Sequence, residues 1–216
     1  MRTLICFLAM LAVTACGSLA QKQPTVGVLK GIAGLGTELW QEERDPRDVL
    51  TRARIENSAT DLLLFAPVTE DVASVFAAAS RNRGVQTWVS GEGESLSLRN
   101  GVIIATRGLG NDVMATDISQ VYPALVRGSG RAVRINDYLD GEDRIVRQQY
   151  TCEIGTLRRE TIEIFQRKHE TRVISETCAG EGGSFRNLYW IDAAGLIWQS
   201  RQWISPRVGA VDIQIL

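Results

Sequence analysis

The sequence predicts a mainly β protein, with antiparallel sheets forming a sandwich or barrel-like architecture and a short N-terminal helix. Three observations point there. From Leu62 onward apolar and polar residues alternate with period two, turn residues punctuate the runs at short intervals, and no helices alternate with them as a parallel α/β fold would require.

The helix comes first in the globular part. Asp45 is a good N-cap, Pro46 suits the first helical position, Asp48 sits three residues after the cap, and Val49, Leu50 and Ala53 share a side, so a helix is expected from about 46 to 57. Expected strands follow at Leu62 to Pro67, Val72 to Ser80, Val85 to Ser90, Glu94 to Leu98 and Val102 to Thr106. A second series runs Arg131 to Leu139, Arg144 to Ile154, Arg159 to Lys168, Arg172 to Cys178, Arg186 to Asp192 and Leu196 to Ile204. Asn100-Gly101 signals a tight hairpin, because both residues tolerate positive φ, and Asp192-Ala-Ala-Gly195 marks another. The loop around Gly108 to Gln120 separates two expected lobes, about 25–115 and 130–216. The stretch "TVGVLKGIAGLGTELW", residues 25 to 40, is Gly-rich and shows no clear period.

The N-terminus has a different character. Arg2 precedes an unbroken apolar run from Leu4 to Val13, too short to span a bilayer, which takes about 20 residues, but laid out as a secretory signal peptide. Val13-Thr14-Ala15-Cys16 resembles the lipobox of bacterial lipoproteins, in which a cysteine thiol takes a diacylglyceryl group and becomes the new N-terminus. Two or more acyl chains anchor a protein stably where one does not. The expected organisation is therefore a signal peptide at 1–15, a lipidated N-terminus and polar tether at 16–24, and a β-rich periplasmic domain at 25–216.

Composition bounds the function. The 216 residues are 44% hydrophobic, with 24 basic and 25 acidic side chains for a net charge of −1, so the basic excess that nucleic-acid binding leaves is missing. Of four cysteines, Cys6 leaves with the signal and Cys16 carries lipid. Cys152 and Cys178 remain as an even pair in an exported domain, where disulfides persist; two buried free thiols are the other reading. No metal is expected, because two cysteines and the distant His169 do not make a zinc ligand set. No cofactor is expected either: no Walker-type loop or dinucleotide fingerprint occurs, and "GIAGLG" has the wrong glycine spacing.

Candidate chemistry is sparse. His169, the single histidine, lies in "FQRKHETR" and reads as an exposed residue of a hairpin turn rather than a catalytic base. Glycoside hydrolysis needs only two carboxylates a few ångströms apart, and Glu92, Glu94, Asp112 and Asp117 flank expected loops. In "ATRGLGNDVMATD", Arg107 and Asp112 are either ligand contacts or a stabilising pair in a tight turn. "NLYWIDAAGLIWQSRQWISP" holds three of five tryptophans, of which Trp190 and Trp203 read as core; Trp198 and Arg201 are the candidates there for glycan or partner contact.

Several of these pieces together carry a family resemblance: the lipobox at Cys16, "LTRARI" from Leu50, "TWVSGEGESLSLRNGVIIATRGLGNDVMATD" from Thr87, "SETC" ending at Cys178, and the Trp-rich segment from Asn187. With them the chain resembles the YjbF/GfcB lipoproteins, the group 4 capsule polysaccharide lipoprotein family. The resemblance implies a predominantly β, exported, lipid-anchored protein with a non-enzymatic accessory role in capsule or exopolysaccharide secretion or assembly. It implies a place on the outer membrane facing the periplasm, with polysaccharide and outer-membrane export proteins as partners, Cys16 as the acylation site and a Cys152–Cys178 bridge. A carbohydrate-active hydrolase and a purely structural envelope lipoprotein are the alternative readings.

Overall fold

The computed structural model describes residues 45–70 and 72–216; the expected signal peptide, the Cys16 lipidation site and the tether lie outside the described residues. Helix α1 (Pro46–Val49) and helix α2 (Arg52–Glu56) stand where one helix is expected. Leu50 and Thr51 between them are extended, and the Thr51 hydroxyl accepts from Arg54 N–H, so a fresh N-cap restarts the helix. The break lets Leu50 and Ile55 bury together against Leu62 and Ala77.

Twelve strands follow: β1 (Leu62–Pro67), β2 (Ser74–Asn82), β3 (Val85–Ser90), β4 (Ser95–Arg99), β5 (Val102–Arg107), β6 (Val113–Asp117), β7 (Ser129–Leu139), β8 (Ile145–Ile164), β9 (Arg167–Gly180), β10 (Gly183–Ile191), β11 (Ile197–Ser205) and β12 (Gly209–Ile215). Helix α3 (Val121–Arg127) lies between β6 and β7. All twelve strands form one antiparallel sheet in the order β5-β4-β3-β2-β1-β12-β11-β10-β9-β8-β7-β6. The barrel is nearly closed, and its two edges, β5 and β6, are neighbours in the chain, so one loop spans the seam.

Four elements depart from the sequence reading. Two expected strands, 144–154 and 159–168, are the single strand β8, with a bulge between Thr156 and Arg158. The turn falls instead at Phe165-Gln166, both at positive φ, residue types that carry no turn signal. Strand β6 and helix α3 occupy the segment read as loop and its flank, and β12 follows the last expected strand.

Beyond Gly155 strand β7 no longer pairs with β8, and beyond Arg172 β10 no longer pairs with β9, so 156–171 continues as a two-stranded ribbon. Arg52 of α2 holds its tip, donating to Phe165 O at 2.9 Å and Ile164 O at 2.7 Å.

Inside, Val121, Ala124 and Leu125 of α3 join Val102, Ile154, Ile174, Tyr189, Ile191 and Ile197 in one core. Leu63, Phe65, Phe76, Trp88, Leu96, Leu98 and Ile213 fill the other side. The β4–β5 turn leans across the interior. Asn100 (φ 51°) and Gly101 (φ 82°) make the expected hairpin, and a Cβ at Gly101 would sit 2.7 Å from Ile197 Cβ, so only glycine fits. Gln202 of β11 fixes the approach: its Nε2 donates to Gly101 O (2.9 Å) and its Oε1 accepts from Ile103 N–H (2.9 Å).

Candidate functional site

The alternation of β7 turns Ala132, Arg134, Asn136 and Tyr138 inward, and Glu176 on β9 meets Arg134 across the interior. Arg134 Nε and Nη2 donate to the two Glu176 oxygens at 2.9 and 3.0 Å, a bidentate fork. Tyr189 OH and Asn187 Nδ2 donate to Glu176 Oε2, each at 2.8 Å. Asn187 also replaces a missing ladder bond: β10 and β11 pair only as far as Leu188 and Arg201, and Asn187 Oδ1 accepts from Trp203 N–H at 2.7 Å. Glu176 is fully buried and Arg134 is 4% exposed. Burial, the largest single influence, pulls the guanidinium pKa down, but the Glu176 charge and hydrogen bonds together with Tyr189 and Tyr138 outweigh it and the net shift is upward. Burial, then the Glu176 charge, pushes the Tyr189 hydroxyl well up, so it stays a donor.

The disulfide Cys152–Cys178 joins directly opposed residues of β8 and β9 beside this network, with Cys178 Sγ 3.4 Å from Glu176 Oε1. Both sulfurs are buried, and the bridge leaves no thiol there to bind a metal. Tyr150, on β8, donates to Gln148 Oε1 at 2.6 Å, and burial pushes its hydroxyl up to about 12.

Arg107 and Asp112 come together at the seam, though not with each other. Asp112 accepts from Thr106 Oγ1 (2.7 Å), Gly108 N–H (2.9 Å) and Leu109 N–H (3.2 Å), while Val113 N–H donates to Thr106 Oγ1 at 3.2 Å. Arg107 reaches Val113 O and Met114 O, both at 3.3 Å. Side chains thus join the two edges where no backbone ladder does. Burial raises the Glu94 carboxyl above the usual carboxylate range, and the charges of Glu92, Asp112 and Glu70 add to it against a Ser90 hydrogen bond. Asp117 stands apart on β6, held below the usual range by hydrogen bonds from Ser119 and by Arg99.

His169 is not an exposed turn residue. It is 9% exposed on β9, and its ring stacks on Trp198 with centroids 3.8 Å apart, while Trp198 Nε1 donates to Asp192 Oδ2 at 3.0 Å. The ribbon that carries His169 is long enough to fold it back over β11, which the short expected strands did not allow. Burial, and then Arg167 and Arg52, lower the His169 pKa, with Asp192 opposing. Trp198 is half-buried by this stack. Arg201 forms a two-pronged pair with Asp212 on the neighbouring strand, both bonds at 2.7 Å, on the outer face. Trp203 is partly buried against the core, its ring parallel to Phe185 at 6.2 Å, and Trp190 is also half-buried. The interior ion pair was not among the sequence candidates; its one signal was a charged residue at an inward position of an alternating strand, Arg134 within "RAVRIND".

A nearly closed antiparallel barrel, stapled at its seam by side chains, cross-linked between two adjacent strands by a disulfide and pinned inside by a buried ion pair, defines a mainly β domain. The chain belongs to the family described as group 4 capsule polysaccharide lipoprotein, gfcB/YjbF, which matches over residues 32–216. Comparison with curated protein sequences finds no match. Among solved structures, the hypothetical lipoprotein YmcC from Escherichia coli K12 is similar in fold, with a TM-score of 0.68 at 16% identity over 83% of this chain and 92% of that one. Among the described residues no helix is long and apolar enough to cross a membrane.

Proposed function

We propose that this protein is a lipid-anchored envelope lipoprotein that serves secretion or assembly of a surface polysaccharide as a non-enzymatic accessory, contacting glycan or the export proteins. The observation that carries this reading is the family match across 32–216. The lipobox at Cys16 supports the anchor, and Gly17 after it, in place of a retention Asp, favours the outer membrane with the domain in the periplasm. The use of Asp112 as the acceptor of the seam loop supports the non-enzymatic part, since its oxygens already take three donors.

Deletion of the gene, under conditions where the polysaccharide is made, is expected to reduce its amount or length at the cell surface. Unchanged polysaccharide in amount and length would sink the proposal, and envelope defects alone would favour a structural lipoprotein. Cys16→Ala is expected to abolish acyl labelling and to release the protein from membranes.

A further inference from the structure

The seam is closed at one end only. Arg107 and Asp112 draw β5 and β6 together beside their loop, whereas at the other end Val102 and Ile103 lean inward on Ile197 and Gln202. Between Arg99 of β4 and the outer face of β6 and β7 this leaves a cleft of about 340 Å³, which no β5 residue lines. That volume lies near the lower end of the roughly 300–1,000 Å³ typical of small-ligand sites.

Its walls carry polar groups of both kinds. Asp137 accepts from Arg147 Nε and Nη2 at 2.8 and 2.9 Å, which orients the remaining guanidinium N–H groups. Asp117 Oδ1 accepts from Ser119 N–H at 2.8 Å, and a carboxylate has lone pairs to spare. Arg99 has no hydrogen-bond or ion-pair partner among the described residues, and its charge acts on Asp117. Ala115 and Ile135 form an apolar strip between these groups.

We propose that this cleft binds a neutral saccharide unit of the polysaccharide, an inference that rests on the function proposed above. Two guanidinium groups and two carboxylates cancel in charge and alternate donors with acceptors. A hydroxyl both donates and accepts, so a run of sugar hydroxyls matches that alternation, while the C–H face of the ring lies on Ala115 and Ile135. A carboxylated sugar would meet Asp117 or Asp137 wherever it met an arginine. Arg147, Asp137 and Asp117 are held before any ligand arrives, which spares part of the ordering cost of binding.

The test uses short oligosaccharides cut from the surface polysaccharide of cells that make the protein, separated into neutral and acidic fractions. These are titrated into the full, isotope-labelled chain in detergent micelles. Neutral fragments are expected to shift the amides of Arg99, Ala115, Thr116 and Asp137. Asp117→Asn and Ala115→Arg, both at exposed positions, are expected to weaken binding about tenfold or more, the loss of one good charged hydrogen bond or of the space itself. Absence of shifts at these residues, tighter binding of the acidic fraction, or equal affinity of the variants overturns the inference. If deletion abolishes surface polysaccharide while both cleft variants restore it in full, the saccharide site falls and the proposed function stands.

Discussion

Around Phe76 the inside of the barrel is closed by carbon, with Leu63, Phe65, Leu96 and Ile213 packed on one another; around Glu176 it is closed by a guanidinium, a carboxylate, a phenol, an amide and a disulfide. Both sides exclude water, but they fail differently. An apolar core loses stability in proportion to what is cut away and how far the rest collapses. A buried ionic network is weak evidence for stability as a whole, yet leaving one charge without its partner is severe. The apolar side tolerates volume-conserving change, and the ionic side tolerates change only in pairs.

The largest expected effect breaks that comparison at its centre. Glu176→Leu leaves the Arg134 guanidinium buried and unpaired and is expected to cost about 3–5 kcal/mol in urea unfolding. Phe76→Ala is expected to cost a similar amount, about 3–5 kcal/mol, through a cavity. The two part company on repair: Arg134→Met added to Glu176→Leu is expected to restore most of the loss, since a buried ion pair replaced by apolar groups of similar size is often neutral. A double variant as unstable as the single one would show that Tyr189 and Asn187 need the carboxylate for themselves.

Next in size is the crosslink. Cys152 and Cys178 are 26 residues apart, and closing such a loop is worth about 3–4 kcal/mol in the chain-entropy model. Cys152→Ser with Cys178→Ser is expected to lower the denaturation midpoint accordingly, and reductant is expected to shift the wild-type chain alone.

The smallest effect is one of pH. The folded pKa of His169 lies below its usual 6.5, so the folded state disfavours the charged ring. Its contribution to stability is complete above about pH 6.5 and is lost as pH falls through the folded value. A His169→Gln chain is expected to show a flatter Tm against pH between about 7 and 5, and an unchanged slope would mean that other groups set it.

The apolar side was more legible in the sequence than the ionic side. Strand β3 and the Asn100-Gly101 hairpin follow from alternation and a two-residue turn signal, both local. Phe165-Gln166 turns the chain without any local signal, because Arg52, more than a hundred residues earlier in the chain, holds the carbonyls of the tip. Glu176 lies between Ser175 and Thr177 in a segment of mixed character, its partner is on β7, and no local period announces a pair 42 residues apart. Arg107 and Asp112 were visible as a turn pair or a ligand contact, but most of the atoms they bind are backbone groups, which carry no residue identity.

The strand order also bears on how the chain folds. Read around the wall from β6, every strand follows its chain neighbour until β12, which then pairs with β1: Leu63 faces Ile215, and Leu216 N–H donates to Leu62 O at 3.1 Å. The first and last strands therefore meet in mid-sheet, while the cut in the ring lies at the loop after Arg107. The fold is a circular permutation of a simple meander. Its single ladder of high sequence separation joins the first strand to the last, and ladders of that kind are the slow ones to form. The wall is complete only once β12, seven residues long and the last strand, has found β1.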